Sequence, residues 1–233
     1  MATFVMVHGA GDGAWAWTPV ADRLRQQGHR AFPVTLTGYG DRRHLASPAI
    51  TLERHVQDVM AVVQYERMDS VWLVGHSYGG WVITAAAEQM ADRIAHLVYV
   101  DAVIPLASGQ YMLDLYDPAF VAQTEQALGP DGWQLPVSPN LITADRRYGP
   151  ALIRPLRDSV VLANPQAAAL PRTYIAYTDR ENNPRSAAVF RTEQAVRVRD
   201  WRVVTVPGDH NIHATQPDRL ASVLDGIARG TTV

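Results

Sequence analysis

Residues 75–79 read Gly75-His76-Ser77-Tyr78-Gly79. This is a G-x-S-x-G pattern, which turns a strand sharply into a helix and lifts a serine oxygen to the top of a sheet. The apolar run Val71 to Val74 precedes it and an alanine-rich helical stretch, Trp81 to Met90, follows, which is the setting that turn requires. A serine hydroxyl is a weak nucleophile until a base takes its proton. Among the eight histidines, His210 is the candidate base. It follows a strand in Pro207-Gly208-Asp209-His210, precedes the last helix, and completes the chain order serine, acid, histidine. His213 is its rival, although the first turn of the following helix suits a pocket-lining role better. His8 and His76 are expected to hydrogen-bond loop backbone near the site. His29, His44, His55 and His96 read as surface or structural residues.

An oxyanion needs backbone N–H donors. Tyr78, directly after the serine, is one source, and the small-residue loop His8-Gly9-Ala10 is the other, through Ala10. The acid that orients the histidine and stabilises its charge has three candidates near strand ends: Asp179, Glu181 and Asp101. Asp209 adjoins the histidine and should point elsewhere. Gly9, Trp81 and Asn211 are assigned to substrate contact, with a buried packing role for Trp81 equally compatible. Trp15 and Trp17 should pack against the sheet.

These residues need a scaffold that brings strand ends together. Thr3 to Val7 reads as a buried strand entering a glycine loop. Ala14 to Gln27 has helical spacing closed by Gly28, and Arg30 to Thr35 is a second strand. Leu52 to Tyr65 is an amphipathic helix with Thr51 as N-cap. Ile94 to Val100 and Thr173 to Tyr177 are strands, Ser186 to Val196 a helix, Trp201 to Val206 a strand, and Gln216 to Ala228 a terminal helix. Such alternation implies an α/β fold, a mostly parallel sheet with helices on both faces. Ligands then bind at the carboxyl ends of the strands, where Gly9, Ser77, Asp101, Asp179, Glu181 and His210 all fall. Residues 103–170 break the pattern and carry Tyr111, Tyr116, Phe120, Trp133 and Tyr148. They read as a mainly helical cap inserted into a single domain spanning 1–233.

Composition narrows the chemistry. The chain has 233 residues, 47% hydrophobic, with a formal net charge of -2. That supports one sizeable core and no nucleic-acid partner, which would call for a basic face. There is no cysteine, and all 21 basic residues are arginine, so cysteine nucleophiles, disulfides, cysteine-ligated metals, Schiff-base lysines and P-loop lysines are excluded. No stretch is long enough to span a bilayer. The first residues lack the basic region of a signal peptide. A cytoplasmic protein with no membrane partner is expected, its oligomeric state open, a homodimer included.

On these motifs the chain resembles the α/β-hydrolase superfamily, and within it the group of plant methylesterases, hydroxynitrile lyases and related bacterial esterases. The resemblance rests on Val7-His8-Gly9-Ala10-Gly11-Asp12-Gly13-Ala14-Trp15-Ala16-Trp17, on Gly75 to Gly80, and on Gly208-Asp209-His210 followed by Pro217 and Leu220. It implies Ser77 as nucleophile, His210 as base, Ala10 and Tyr78 N–H groups as oxyanion donors, and the insertion as a cap. It also implies an acid in a pattern similar to Thr-Asp-x-Asp. Thr178-Asp179-Arg180-Glu181 matches with glutamate in the last place, which favours Glu181, with Asp101 as substitute. The lyase members carry a threonine in the first oxyanion loop and a lysine after the histidine. Gly9 and Asn211 stand there, which argues against lyase chemistry.

The expected activity is a cofactor-free, metal-free serine hydrolase cleaving carboxylic esters of small, largely apolar molecules through an acyl-enzyme. A thioesterase, lactonase, amidase, acyltransferase, or biosynthetic lyase or cyclase would use the same scaffold. A non-catalytic ligand-binding protein is the reading of a different class.

Overall fold

The computed structural model describes residues 1–137, 145–179, 184–199 and 201–231. Strands β1 (Thr3–Val7), β2 (Arg30–Val34), β3 (Val71–His76), β4 (Ile94–Val100), β5 (Arg172–Tyr177) and β6 (Arg202–Val206) form one sheet in the order β6-β5-β4-β3-β1-β2. Every adjacent pair is parallel. Successive side chains of a strand face opposite ways. Phe4 and Met6 of β1 therefore join a core with Trp17, Val20, Leu24, Leu220 and Leu224, while Val5 and Val7 join another with Val56, Val59, Trp81 and Val82. Helices α1 (Ala14–Gln26) and α6 (Pro217–Arg229) thus cover one face. Helices α2 (Leu52–Tyr65), α3 (Gly79–Met90) and α5 (Pro184–Arg197) cover the other.

Local chemistry explains the element ends. In α2 the Arg54 N–H donates to the Thr51 side chain at 3.3 Å, satisfying one of the donors a helix start leaves orphaned. Leu52, Val56, Val59 and Val63 then form its buried stripe. The expected elements stand where the residue pattern put them, with small shifts at their ends. Strand β3 runs on through His76, and α3 begins at Gly79 rather than Trp81.

After β1 the chain adds β2 on one side and β3 on the other. The gap between β1 and β3 is thus a topological switch point, where loops at the carboxyl ends diverge and leave a crevice. Val7 pairs with Gly75, so the loop after β1 and the turn after β3 leave the sheet side by side.

Among the described residues, the insertion between β4 and β5 consists of short helical segments and two small ladders. Helix α4 (Pro118–Gln126) is its longest described helix, and shorter helical turns occur at Met112–Leu115, Ile153–Leu156 and Pro165–Ala169. Two antiparallel ladders of two residues per strand tie it together: Gln110–Tyr111 with Ser159–Val160, and Gln134–Leu135 with Ala151–Leu152. Frequent prolines, Pro130, Pro136, Pro150 and Pro155 among them, prevent longer helices. The insertion seats on the β1 loop through Gly149 N–H donating to the Gly11 carbonyl at 2.8 Å and through Tyr148 edge-on to Trp15 at 5.1 Å. Trp15 therefore packs on the cap, whereas Trp17 is buried against the sheet. Among the described residues, no helix is long and apolar enough to cross a membrane.

Candidate active site

Ser77 is the pivot between β3 and α3. Its φ of 53° lies in the left-handed region, a conformation that costs a non-glycine residue on the order of 1–3 kcal/mol. Surrounding bonds hold it there: Ser77 N–H donates to Val100 O at 3.3 Å, and Ser77 O accepts from Gly80 N at 3.1 Å and Val103 N at 3.1 Å. The flanking glycines are required by close approach. A Cβ on Gly75 would stand 2.5 Å from Gly79 O, and one on Gly79 would stand 2.5 Å from Val7 O.

The β1 loop is set by a buried imidazole. Leu36 N–H donates to His8 Nε2 at 3.1 Å, so Nδ1 carries the proton and donates to Gly9 O at 2.7 Å. Burial holds the His8 pKa below its ordinary value, which preserves that neutral tautomer. Among the described residues, the Ala10 and Tyr78 N–H groups donate to no protein acceptor. Tyr78 is anchored from its other end. His55 Nε2–H donates to Thr37 O at 2.9 Å, leaving Nδ1 to accept the Tyr78 hydroxyl at 2.8 Å. Burial pushes His55 down to about 4.

His210 follows β6, and its Nδ1 lies 2.7 Å from Asp101 Oδ2. Asp101 is buried, follows β4 directly, and has a φ of 43°. Its own N–H donates to Ile175 O at 2.8 Å, which fixes the residue beyond the neighbouring strand's end. Of the three carboxylates weighed from sequence, Asp101 is thus the one seen on His210. Asp179 accepts from the Thr178 hydroxyl instead, and Glu181, favoured by the resemblance, lies outside the described residues. Asp209 points away as expected, accepting from Asn211 N–H at 2.7 Å.

Ser77 and His210 line one cavity of about 390 Å³ together with Gly9, Ala10, Tyr78 and Asn211. Its cap-side wall is mostly apolar, with Met112, Leu113, Tyr116, Phe120, Leu135 and Leu156 beside the polar Gln123 and Thr124. Tyr116 and Phe120 stack at 5.5 Å. The cap aromatics split: Tyr116, Phe120 and Tyr148 reach the cavity, while Tyr111 and Trp133 do not line it.

Two expectations need correction. Trp81 does not line the cavity. It is fully buried on α3, with its indole N–H donating to Asp158 O at 3.3 Å, because the third residue of α3 already faces the core. His213 does not line the cavity either. It is fully buried against Trp17 and His76, with ring centroids 5.3 and 4.2 Å away. His76 meets its expectation, donating from Nε2 to the His210 carbonyl at 2.7 Å.

Comparison with known proteins agrees with this architecture. Residues 4–223 match the alpha/beta hydrolase family. A carbendazim hydrolyzing esterase from Nocardioides sp. (strain SG-4G) is 34% identical, covering 96% of this chain and 98% of its own. Methylesterase 2 of Arabidopsis thaliana is 32% identical over 133 residues, 56% of this chain and 48% of that protein. Among solved structures, an extracellular alpha/beta-hydrolase from a Paenibacillus species superposes with a TM-score of 0.82 at 23% identity, covering 96% of this chain and 98% of that one. A methylesterase from Arabidopsis gives 0.74 at 23% identity, with coverages of 98% and 99%.

Proposed function

From its membership of the alpha/beta hydrolase family, as a carboxylesterase-like enzyme, we propose that this protein cleaves carboxylic esters of small, largely apolar molecules through an acyl-enzyme on Ser77. The observation that carries the reading is the 2.7 Å bond between His210 Nδ1 and Asp101 at the cavity into which the Ser77 turn opens. With Nδ1–H donating to Asp101, Nε2 is left as an acceptor for the serine proton. Ser77 Oγ attacks the ester carbonyl and its proton passes to Nε2. The tetrahedral oxyanion takes hydrogen bonds from the Ala10 and Tyr78 N–H groups, each worth about 2.7–4 kcal/mol by analogy with a removed oxyanion donor. The imidazolium returns its proton to the departing alkoxide. Water, deprotonated by the same nitrogen, then attacks the acyl carbon, and Ser77 leaves with the proton.

The cap wall supports an apolar acyl or aryl group, since Tyr116 and Phe120 present a stacked pair to the cavity. The esterase and methylesterase relatives support ester over amide cleavage. A panel of aryl and alkyl esters, with a thioester, a lactone and an amide of matched acyl group, tests the proposal. Esters should turn over fastest, and Ser77→Ala should lose activity by about 10⁶-fold, as in comparable serine hydrolases. Ester turnover that survives Ser77→Ala would overturn it.

A further inference from the structure

Behind the cavity, Asp12, His76 and His213 converge, all buried. Their ligating atoms lie within 4.8 Å of one another. Asp12 Oδ2 is 3.5 Å from His213 Nε2 and 4.0 Å from His76 Nδ1. Among the described residues, Asp12 Oδ1, His76 Nδ1 and both His213 ring nitrogens make no hydrogen bond. Buried polar atoms are nearly always paired, so this concentration needs a partner.

The hydrogen bonding defines what that partner must be. His76 Nε2 donates to the His210 carbonyl, so in its neutral form Nδ1 presents a lone pair toward the Asp12 carboxylate, itself an acceptor. The His76 lone pair and the Asp12 carboxylate are thus two acceptors facing each other in a buried space, and His213, whose tautomer no hydrogen bond fixes, can turn a third lone pair to the same point, the arrangement a cation resolves. Ligand bonds near 2.0–2.1 Å place tetrahedral donor atoms roughly 3.4 Å apart; the Asp12–His213 separation of 3.5 Å matches this, and the Asp12–His76 separation of 4.0 Å needs a small inward shift on binding. Metal-bound imidazoles characteristically donate their other N–H to a carbonyl or carboxylate, as His76 does. Asp12 and His76 also line the cavity, which gives an ion a way in. Imidazole with carboxylate suits Zn²⁺ and neighbouring first-row metals over Mg²⁺ or Ca²⁺.

We propose that Asp12, His76 and His213 form a binding site for one divalent transition-metal ion of the Zn²⁺ class, joining the β1 loop, the end of β3 and the segment after His210. The site needs no step of the ester chemistry, and it is tested separately from it. The protein is prepared in two ways, by expression with added Zn²⁺ or Co²⁺ and by refolding with Co²⁺. Metal content, the visible Co²⁺ absorption and the melting temperature are measured. One tightly held equivalent, a ligand-field spectrum of low coordination number and a raised melting temperature are expected. Affinity should fall at least tenfold in Asp12→Asn and in His213→Gln, and stay at the wild-type level in Ser77→Ala and His210→Ala, which keep all three ligands. Absence of a stoichiometric metal by both routes, or wild-type affinity in both ligand variants, would overturn the proposal. In that case the cluster holds only protons or water.

Discussion

Replacing Asp101 by asparagine exchanges one carboxylate oxygen for an NH₂ group and should nearly abolish turnover. Asp101 is 3% exposed and meets His210 Nδ1 at 2.7 Å. In the proposed mechanism, His210 takes the serine proton and an imidazolium forms beside that carboxylate. For unit charges about 4 Å apart at an effective dielectric of about 20, the attraction is about 4 kcal/mol, equivalent to about 10³ in rate. Asparagine removes that attraction, and its NH₂ can donate to Nδ1, which would move the ring proton to Nε2 and block it as a base. The two effects together set the expected loss in kcat at about 10³–10⁴-fold, in line with the same change in a serine protease. Initial-rate kinetics on an aryl ester, with circular dichroism to confirm folding, read it out. Asp179→Asn and Glu181→Gln should stay within a few-fold of wild type. A folded Asp101→Asn enzyme keeping more than a tenth of wild-type kcat, or a large loss in Glu181→Gln alone, would refute the assignment.

Other perturbations test the scaffold. Gly79→Ala places a Cβ 2.5 Å from Val7 O, an overpacking against backbone that should cost about 1–3 kcal/mol and lower the melting temperature by several degrees in a thermal scan. Tyr78→Phe leaves buried His55 Nδ1 without its donor and should cost about 1–3 kcal/mol in a urea titration, while the backbone N–H at that position is retained. His55 has a folded pKa of about 4 against 6.5, so between those values the unfolded chain binds more protons. Its contribution of about 3 kcal/mol is fully present above pH 6.5 and is lost as pH falls through 4. Urea midpoints should decline over that window, and NMR should show the His55 ring titrating near the lower value. A midpoint near 6.5 would contradict this.

The parts of the fold that sequence discloses are those with local causes. Alternating apolar runs mark β1, β3 and β4, a threonine marks the start of α2, and close-packed glycines mark the turn at Ser77. Asp101 was visible only as one of three carboxylates. Its claim depends on β4 lying next to β3 and on a positive φ just past the strand, and sheet order is a long-range property that no local pattern carries. The one available signal was its place as the first ionisable residue after the apolar run Ile94–Val100. The ladders of the cap are hidden from sequence for a related reason, since they pair two-residue segments far apart in the chain. His213 was expected at the cavity because of its nearness to His210. The short helix Ile212–Thr215 instead points that ring into the interior, toward Asp12 and His76. Trp81 shows the same limit, because a side chain near a reactive turn can face either the cavity or the core.

The central claim is that Ser77 is a nucleophile activated by His210. Fluorophosphonate labelling followed by intact mass measurement tests it without knowledge of the natural substrate. The expected result is a single adduct on the parent protein, absent in Ser77→Ala and formed far more slowly in His210→Ala. A well-folded parent protein that forms no adduct while a small apolar ligand is shown to enter the cavity, or an adduct that persists in Ser77→Ala, would contradict it.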